Sequence, residues 1–245
     1  MTDDARAARV VLERLLEADA PALRANLPPG FADAAESYVR LLLEANARLN
    51  LTRVVEPEAV ARLHLLDSLA ALPLIPHSSE LALDLGSGGG VPGILLAIAR
   101  PSVHWTLVDS VHKKAVALRS FVEALGLVNV EVRAERAEAL GRGPSRESFD
   151  LVTARACAAL PVLVEYALPL LRVGGSLLAW KGPISVDELA SGSVASATLG
   201  GSAPEERSTG LPVLGDHRFV LIDKLRPTDP RWPRRPGEPA RRPIA

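Results

Sequence analysis

The chain is short of sulfur, of lysine and of aromatic rings. It has one cysteine, Cys157, and one methionine among 245 residues. A single thiol closes no internal disulfide and no multi-cysteine zinc site, so a disulfide-stapled secreted scaffold is excluded and a reducing compartment suits the chain. No metal site is expected. Aromatic residues make up only 4%, which leaves few platforms for stacking on a ring. Lysine occurs only at 113, 114, 181 and 224. No uncharged apolar run approaches the ~18 residues that read as a transmembrane helix. The opening Met-Thr-Asp-Asp is acidic rather than signal-like. A cytoplasmic location with no membrane partner is the expectation.

What is present is a large apolar fraction, 48%, and a net charge of −1. That is enough for one large domain with an appendage, and bulk charge names no partner. The charge is unevenly spread. Residues 1–80 hold eight arginines and twelve carboxylates, whereas residues 226–245 hold six arginines against Asp229 and Glu238. A basic end on a neutral protein fits contact with a polyanion or a solvated tail. Three parts are expected: a helical extension over 1–76, an α/β core over 77–225 and a Pro/Arg-rich tail over 226–245.

The core is organised around Leu81–Gly93. Leu81, Ala82, Leu83 and Leu85 form a short apolar run, interrupted by Asp84, that suits a buried parallel strand. Gly86, Gly88 and Gly90 follow, and Val91-Pro92-Gly93 leads into an apolar helix through Ala99. Strand, glycine loop and helix open a doubly wound nucleotide-binding fold. Gly88-x-Gly90-x-x-Gly93 matches a dinucleotide pattern but starts three residues after the strand ends. Counted from the strand end, the motif is Asp84-x-Gly86-x-Gly88-x-Gly90. A pyrophosphate is disfavoured beside a carboxylate, whereas a cationic sulfonium amino acid is favoured there, so S-adenosylmethionine is the expected cofactor. Asp109 ends the second strand about 20 positions on and suits a ribose diol.

In chain order, helices are expected over 2–20, 31–50 and 57–72. On the third, His64, Asp67 and Ser68 share a face and fit either a cleft wall or a structural hydrogen-bond network. Beyond the glycine loop, strands are expected at 103–108, 129–133, 149–153 and 176–180. Helices fall at 111–125, which bears Lys113 and Lys114, and at 161–173, stopped by Gly174-Gly175. Arg155 and Lys181 then sit at the carboxyl edge of the sheet, where ligands bind in such folds. Trp180 is the best-placed stacking platform. Residues 189–208 read as a mobile loop or frayed helix end, and 211–214 with 217–225 as a closing hairpin. The sum is an α/β, doubly wound, seven-stranded, Rossmann-like fold of the S-adenosylmethionine-dependent methyltransferase type, with an N-terminal helical extension.

Asn50-Leu-Thr52, His64-Leu-Leu-Asp67-Ser68, Asp84-Leu-Gly-Ser-Gly-Gly-Gly-Val-Pro-Gly93, Asp109-Ser-x-x-Lys113-Lys114, Arg155-Ala156, Lys181-Gly182 and Pro233-Arg-Arg-Pro-Gly237 occur in that order. The chain thereby resembles the ribosomal RNA small subunit methyltransferase G family, also called glucose-inhibited division protein B. The resemblance implies methylation of N7 of a guanine in 16S ribosomal RNA, free or in a small-subunit precursor, by a monomeric enzyme. It places Gly86, Val91, Asp109, Ala137, Glu138 and Arg155 at the cofactor, alongside Asp84 and Gly88 of the loop. Arg155 and Lys181 would position substrate rather than act as acid or base. Asn50, His64, Asp67, Ser68, Trp180, Arg234 and Arg235 are the substrate-side candidates. Val91 departs from the bulkier residue associated with its place. The alternative is an enzyme of the same fold acting on a small molecule or protein.

Overall fold

In the computed structural model, which describes residues 2–244, a seven-stranded sheet has the order β3-β2-β1-β4-β5-β7-β6. Its strands are β1 (Leu81–Leu85), β2 (His104–Val108), β3 (Val130–Arg133), β4 (Phe149–Arg155), β5 (Leu171–Lys181), β6 (Glu205–Ser208) and β7 (Arg218–Asp223). The first five pair in parallel, and β7 runs antiparallel to both β5 and β6. The order reverses at β1, between β2 and β4. That reversal opens a crevice at the carboxyl ends of these strands. β1 and β4 are buried on both faces, which explains why their apolar runs do not alternate.

The helices are α1 (Thr2–Ala18), α2 (Pro21–Ala25), α3 (Phe31–Leu49), α4 (Pro57–Val60), α5 (Asp67–Leu69), α6 (Gly93–Ala99), α7 (His112–Ala124), α8 (Ala137–Leu140), α9 (Leu160–Ala167), α10 (Val186–Leu199) and α11 (Glu238–Arg241). A π-helical segment, Ala61–Leu66, joins α4 to α5. Leu12, Tyr38, Leu42, Leu65 and Leu69 belong to one apolar core with Leu95, Leu107, Leu118 and Leu178. The N-terminal helices therefore close one face of the sheet. α9 and α10 pack on the other face over Leu83, Val152 and Leu177.

Four expectations are corrected. The helix expected over 161–173 ends at Ala167, and β5 already begins at Leu171. A Cβ at Gly175 would lie 2.8 Å from the Asp150 carbonyl oxygen, so the glycine pair admits close strand approach instead of ending a helix. Residues 189–208 are not loose. Ser185 accepts from the Glu188 amide and caps α10, which runs to Leu199 before β6 begins at Glu205. The small residues of α10 are contact residues: a Cβ at Gly192 would fall 2.6 Å from Leu160 Cγ. β6, not 211–214, is the hairpin partner of β7, and Pro212–Leu214 is a 3₁₀ turn between them. Finally, the tail is docked. Arg146 donates to the carbonyls of Thr228 and Trp232, Arg142 donates to that of Pro233, and Arg234 pairs with Glu165.

Candidate functional site

Two clefts open at the carboxyl edge and meet at Gly86, which lines both. The first, of about 210 Å³, is walled by Leu85, Val108, Ala137 and Tyr166, with Ser110, Glu138 and Cys157 supplying polar atoms. The second, of about 240 Å³, is walled by Leu42, Leu51, Thr52, His64, Val91 and Arg155 beside the glycine loop. Gly86 has φ +72°, and a Cβ there would lie 2.9 Å from Cys157 Sγ. Glycine at this point thus permits both the backbone turn and the junction.

The loop is held from beneath. Asp109 Oδ2 accepts from the Gly88 amide at 3.0 Å, and Oδ1 accepts from the Val111 amide at 2.8 Å. Tyr38 donates its hydroxyl hydrogen to the Gly89 carbonyl at 2.8 Å, which pins the loop to α3. Asp84 is fully buried and borders neither cleft. Direct contact with a cofactor, one of the expected roles, is corrected: the side chain lies under the loop, where a Cβ on Gly93 would come 2.7 Å from its Oδ2. Thr153 donates its hydroxyl to Asp84 Oδ1 at 2.7 Å, while Oδ2 has no hydrogen-bond partner. Burial pushes this carboxyl up to about 6, against the lowering effect of the Thr153 hydroxyl.

Glu138 sits in the first cleft, where its Oε1 accepts from the Gly237 amide at 2.7 Å and from Arg136 at 2.9 Å. Burial opposes ionisation there, but Arg136 and the Gly237 amide hold the carboxyl below its ordinary range. The docked tail therefore shapes the cofactor-side cleft. Cys157 is exposed as a residue, but desolvation of its thiol at the junction first, and the charges of Asp84 and Asp109 next, push it up to about 11, so it stays neutral.

The second cleft rests on the π segment. That segment carries His64 and leads directly into Asp67 at the start of α5. His64 Nε2 lies 2.8 Å from Thr52 Oγ1, and its Nδ1 is buried without a partner. Burial and the nearby Arg155 charge lower His64 to about 4, so the imidazole is neutral at pH 7. Asp67 lies deeper, 1% exposed. Its Oδ2 is 3.2 Å from Arg155 Nη1, and its Oδ1 is 3.0 Å from His217 Nδ1. A buried carboxylate thus fixes the guanidinium at the cleft wall. Ser68 donates to the His64 carbonyl and serves the helix. Asn50 caps α3 in the left-handed region at φ 51° and borders neither cleft.

Other candidates fall away from the junction. Trp180 is 6% exposed, donates its indole N–H to the Asp67 carbonyl and meets Phe219 edge-on. An enclosed ring cannot stack on a base, so the platform role is corrected. Lys181 donates to Glu188 Oε1 at 2.7 Å and to the Ala158 carbonyl at 3.1 Å, tying the β4–α9 loop to α10. Arg234 is committed to buried Glu165, which corrects its substrate-side placement, while Arg235 stays exposed. Val91 and Arg155, expected at the cofactor, border the second cleft. Thr52 and His217 were not singled out from the sequence. Thr52 lay in the Asn-Leu-Thr signal, whereas His217 carried no local signal because it meets Asp67 from 150 residues away.

The model of the GidB family, described as rRNA small subunit methyltransferase G, matches residues 32–205. The chain belongs to this family. Curated relatives bearing the name Ribosomal RNA small subunit methyltransferase G include one from Deinococcus deserti, 44% identical over 234 residues, covering 94% of this chain and 95% of the relative. Another, from Pelotomaculum thermopropionicum, is 45% identical over 212 residues, covering 85% and 89%. Among solved structures, the S-adenosylmethionine-dependent methyltransferase SibL in its apo form aligns with TM-score 0.57 and 17% identity over 88% of this chain and 73% of its own. An O-methyltransferase from Bacillus cereus in complex with SAH aligns at 0.51 and 20%, over 77% and 91%. These last two show the fold. As a member of the methyltransferase G family the chain is an S-adenosylmethionine-dependent methyltransferase with an rRNA substrate. The first cleft fits that cofactor: apolar walls suit a flat base, Ser110 and Glu138 offer polar contacts, and Gly86 leaves the junction free of a Cβ. Among the described residues no helix is long and apolar enough to cross a membrane.

Proposed function

We propose that this enzyme methylates N7 of a guanine in 16S ribosomal RNA, free or within a small-subunit precursor, as a cytoplasmic monomer. The observation that carries the reading is the meeting of the two clefts at Gly86, with one side suited to an adenosyl group and the other to a base. The organisation fits a helical extension over 1–76, a core over 77–225 and a basic end over 226–245 that is strapped onto the core.

The cofactor supplies a methyl group already activated by positive sulfur. Guanine N7 has a free lone pair at neutral pH, so attack needs no base. The N–C bond forms as the C–S bond breaks, and the guanine takes the positive charge. The chain's work is therefore placement, which can supply up to ~7–11 kcal/mol in favourable cases. In this reading Gly86, Ala137 and Glu138 hold the cofactor from the first cleft, and Gly88, expected with them, borders the base-side cleft. Asp109, which borders neither, acts on the cofactor by fixing the loop through the Gly88 and Val111 amides. Asp84 contributes a buried charge beneath the glycine loop, where it would favour a cationic methyl donor. Arg155, paired with Asp67, contacts the substrate, and neutral His64 with Thr52 forms the wall of the base-side cleft. Lys181 acts through the β4–α9 loop that it ties down. Asn50 and Ser68 support the second cleft, and Arg235 remains available for RNA.

The test is methyl transfer from labelled cofactor to small ribosomal subunits, and to naked rRNA, from cells lacking the gene, read by mass spectrometry of nuclease fragments. One 7-methylguanosine in 16S rRNA is expected. Label in a protein or small molecule, or on another atom of the base, would overturn the reading.

A further inference from the structure

We infer that the groove between α3 and α7 is the track for the RNA backbone that flanks the target base. This inference rests on the rRNA reading above and locates the partner's contact. Two of the four lysines are committed: Lys181 to Glu188, and buried Lys224 to Glu147 and the Leu168 carbonyl. Lys113 and Lys114, in the first turn of α7, have no carboxylate partner among the described residues, and neither have Arg48 near the end of α3 and Arg53 just beyond it.

Of these cations, Arg48 and Lys113 border a groove of about 530 Å³ whose walls also include Leu41, Ala45 and Val116, and Lys114 adjoins Lys113 on the same helical turn. Its one lining carboxylate, Glu44, is 3.7 Å from Arg40. Two short chain segments link the groove to the site. Leu49 lines the groove and Leu51 the base-side cleft, while His112 of the groove follows Ser110 of the cofactor-side cleft by two residues. The first turn of α7 holds no acidic residue. Lysines at the positive end of a helix dipole are unfavourable by themselves and are relieved by an anion. Apolar walls between cations suit a polymer with sugar and base faces between phosphates, rather than a free phosphate ion.

Three of the six C-terminal arginines are poorer candidates for this contact. Arg234 is held by Glu165, Arg226 by the Ala197 carbonyl, and Arg231 lies 3.7 Å from Asp229.

The experiment compares the full-length protein with a triple variant, Arg48→Gln, Lys113→Gln and Lys114→Gln. Binding to naked small-subunit rRNA and to assembled small subunits is measured over a KCl series. Each lost phosphate contact removes ~0.7 from the slope of log affinity against log salt on a single strand. A slope shallower by about 2, with at least a tenfold loss in rRNA affinity at low salt, is expected. Calorimetric affinity for S-adenosylmethionine should stay within threefold, and the thermal midpoint within a few degrees. An unchanged slope with intact wild-type binding would overturn the track. Weakened binding to assembled subunits alone would assign the groove to a ribosomal protein and equally overturn it. A wild-type protein that neither binds nor methylates rRNA would instead sink the substrate reading itself. Should the triple variant melt early, Arg48→Gln alone, with an expected slope change of ~0.7, keeps the question decidable.

Discussion

Asp84→Asn isolates one electrostatic effect. The Asp84 carboxyl is fully buried, with a hydroxyl on one oxygen and nothing on the other. Burial lifts it from 3.8 to about 6. Each tenfold change in proton affinity is worth ~1.4 kcal/mol, so keeping this carboxylate ionised in the apo fold costs about 3 kcal/mol. Because its folded value is raised, the native state binds a proton in the window from about 4 to 6 that the unfolded state has released. Stability from this group is therefore lost as pH rises through that window and stays low above it. The asparagine removes the titration. Its unmatched amide hydrogens carry a penalty of ~1–3 kcal/mol, but that penalty does not vary with pH. Urea denaturation of both proteins from pH 3.5 to 8 should show the asparagine variant gaining about 3 kcal/mol on the wild type, with the change confined to pH 4–6. A difference that is constant with pH would refute the assignment of a strained, buried charge. The same charge should favour the cationic sulfonium over its neutral demethylated product. Calorimetry should find that preference rising from pH 5 to 7.5 in the wild type and flat in the variant.

Three further outcomes are expected. Gly93→Ala would press its new Cβ to 2.7 Å from Asp84 Oδ2 and against Leu107. A loss of ~1–3 kcal/mol in chemical denaturation is expected, and an unchanged midpoint would show that the loop relaxes freely. Arg234→Ala would leave the carboxylate of Glu165, 0% exposed, without its counter-charge and with only the amide of residue 234 as a donor. A loss of ~3–5 kcal/mol is expected, much of it restored by adding Glu165→Gln, and a silent single variant would mean that the tail detaches in solution. His217→Ala would free one oxygen of Asp67 and loosen the hold on Arg155. RNA methylation should fall at least tenfold while the cofactor dissociation constant stays within threefold, and His217→Gln should recover part of the loss. Equal loss of both properties would make the residue structural.

Local patterns carried much of the architecture. The apolar run at 81–85 followed by closely spaced glycines marks β1 and its loop because strand burial and positive φ are properties of neighbouring residues. Asp109 was legible for the same reason: it ends a strand at a countable distance from the glycines. The misread elements share one cause. α10 and the turn after it are rich in Ser, Gly and Ala because Gly192 of the helix abuts Leu160 and Gly201 of the turn abuts Ser196 and Ile222. The composition that suggests a loose loop is here the mark of a tight contact with distant residues. The tail looked free because its partners, Glu138, Arg142, Arg146 and Glu165, lie 69 to 99 residues away.

The sequence by itself determined the alternation of strands and helices as far as β5, the glycine loop with its flanking carboxylates, and membership of a recognisable family. These depend on spacing, backbone freedom and residue type, which are written along the chain. Only the tertiary structure decided which charges are spent. It buried Asp84 beneath the loop, closed Trp180 behind Phe219, matched Arg234 to Glu165 and brought His217 to Asp67, while leaving Lys113 and Lys114 without a carboxylate partner among the described residues. A side chain's availability is set by desolvation and by partners far along the chain, and those exist only once the sheet has been assembled and its faces covered.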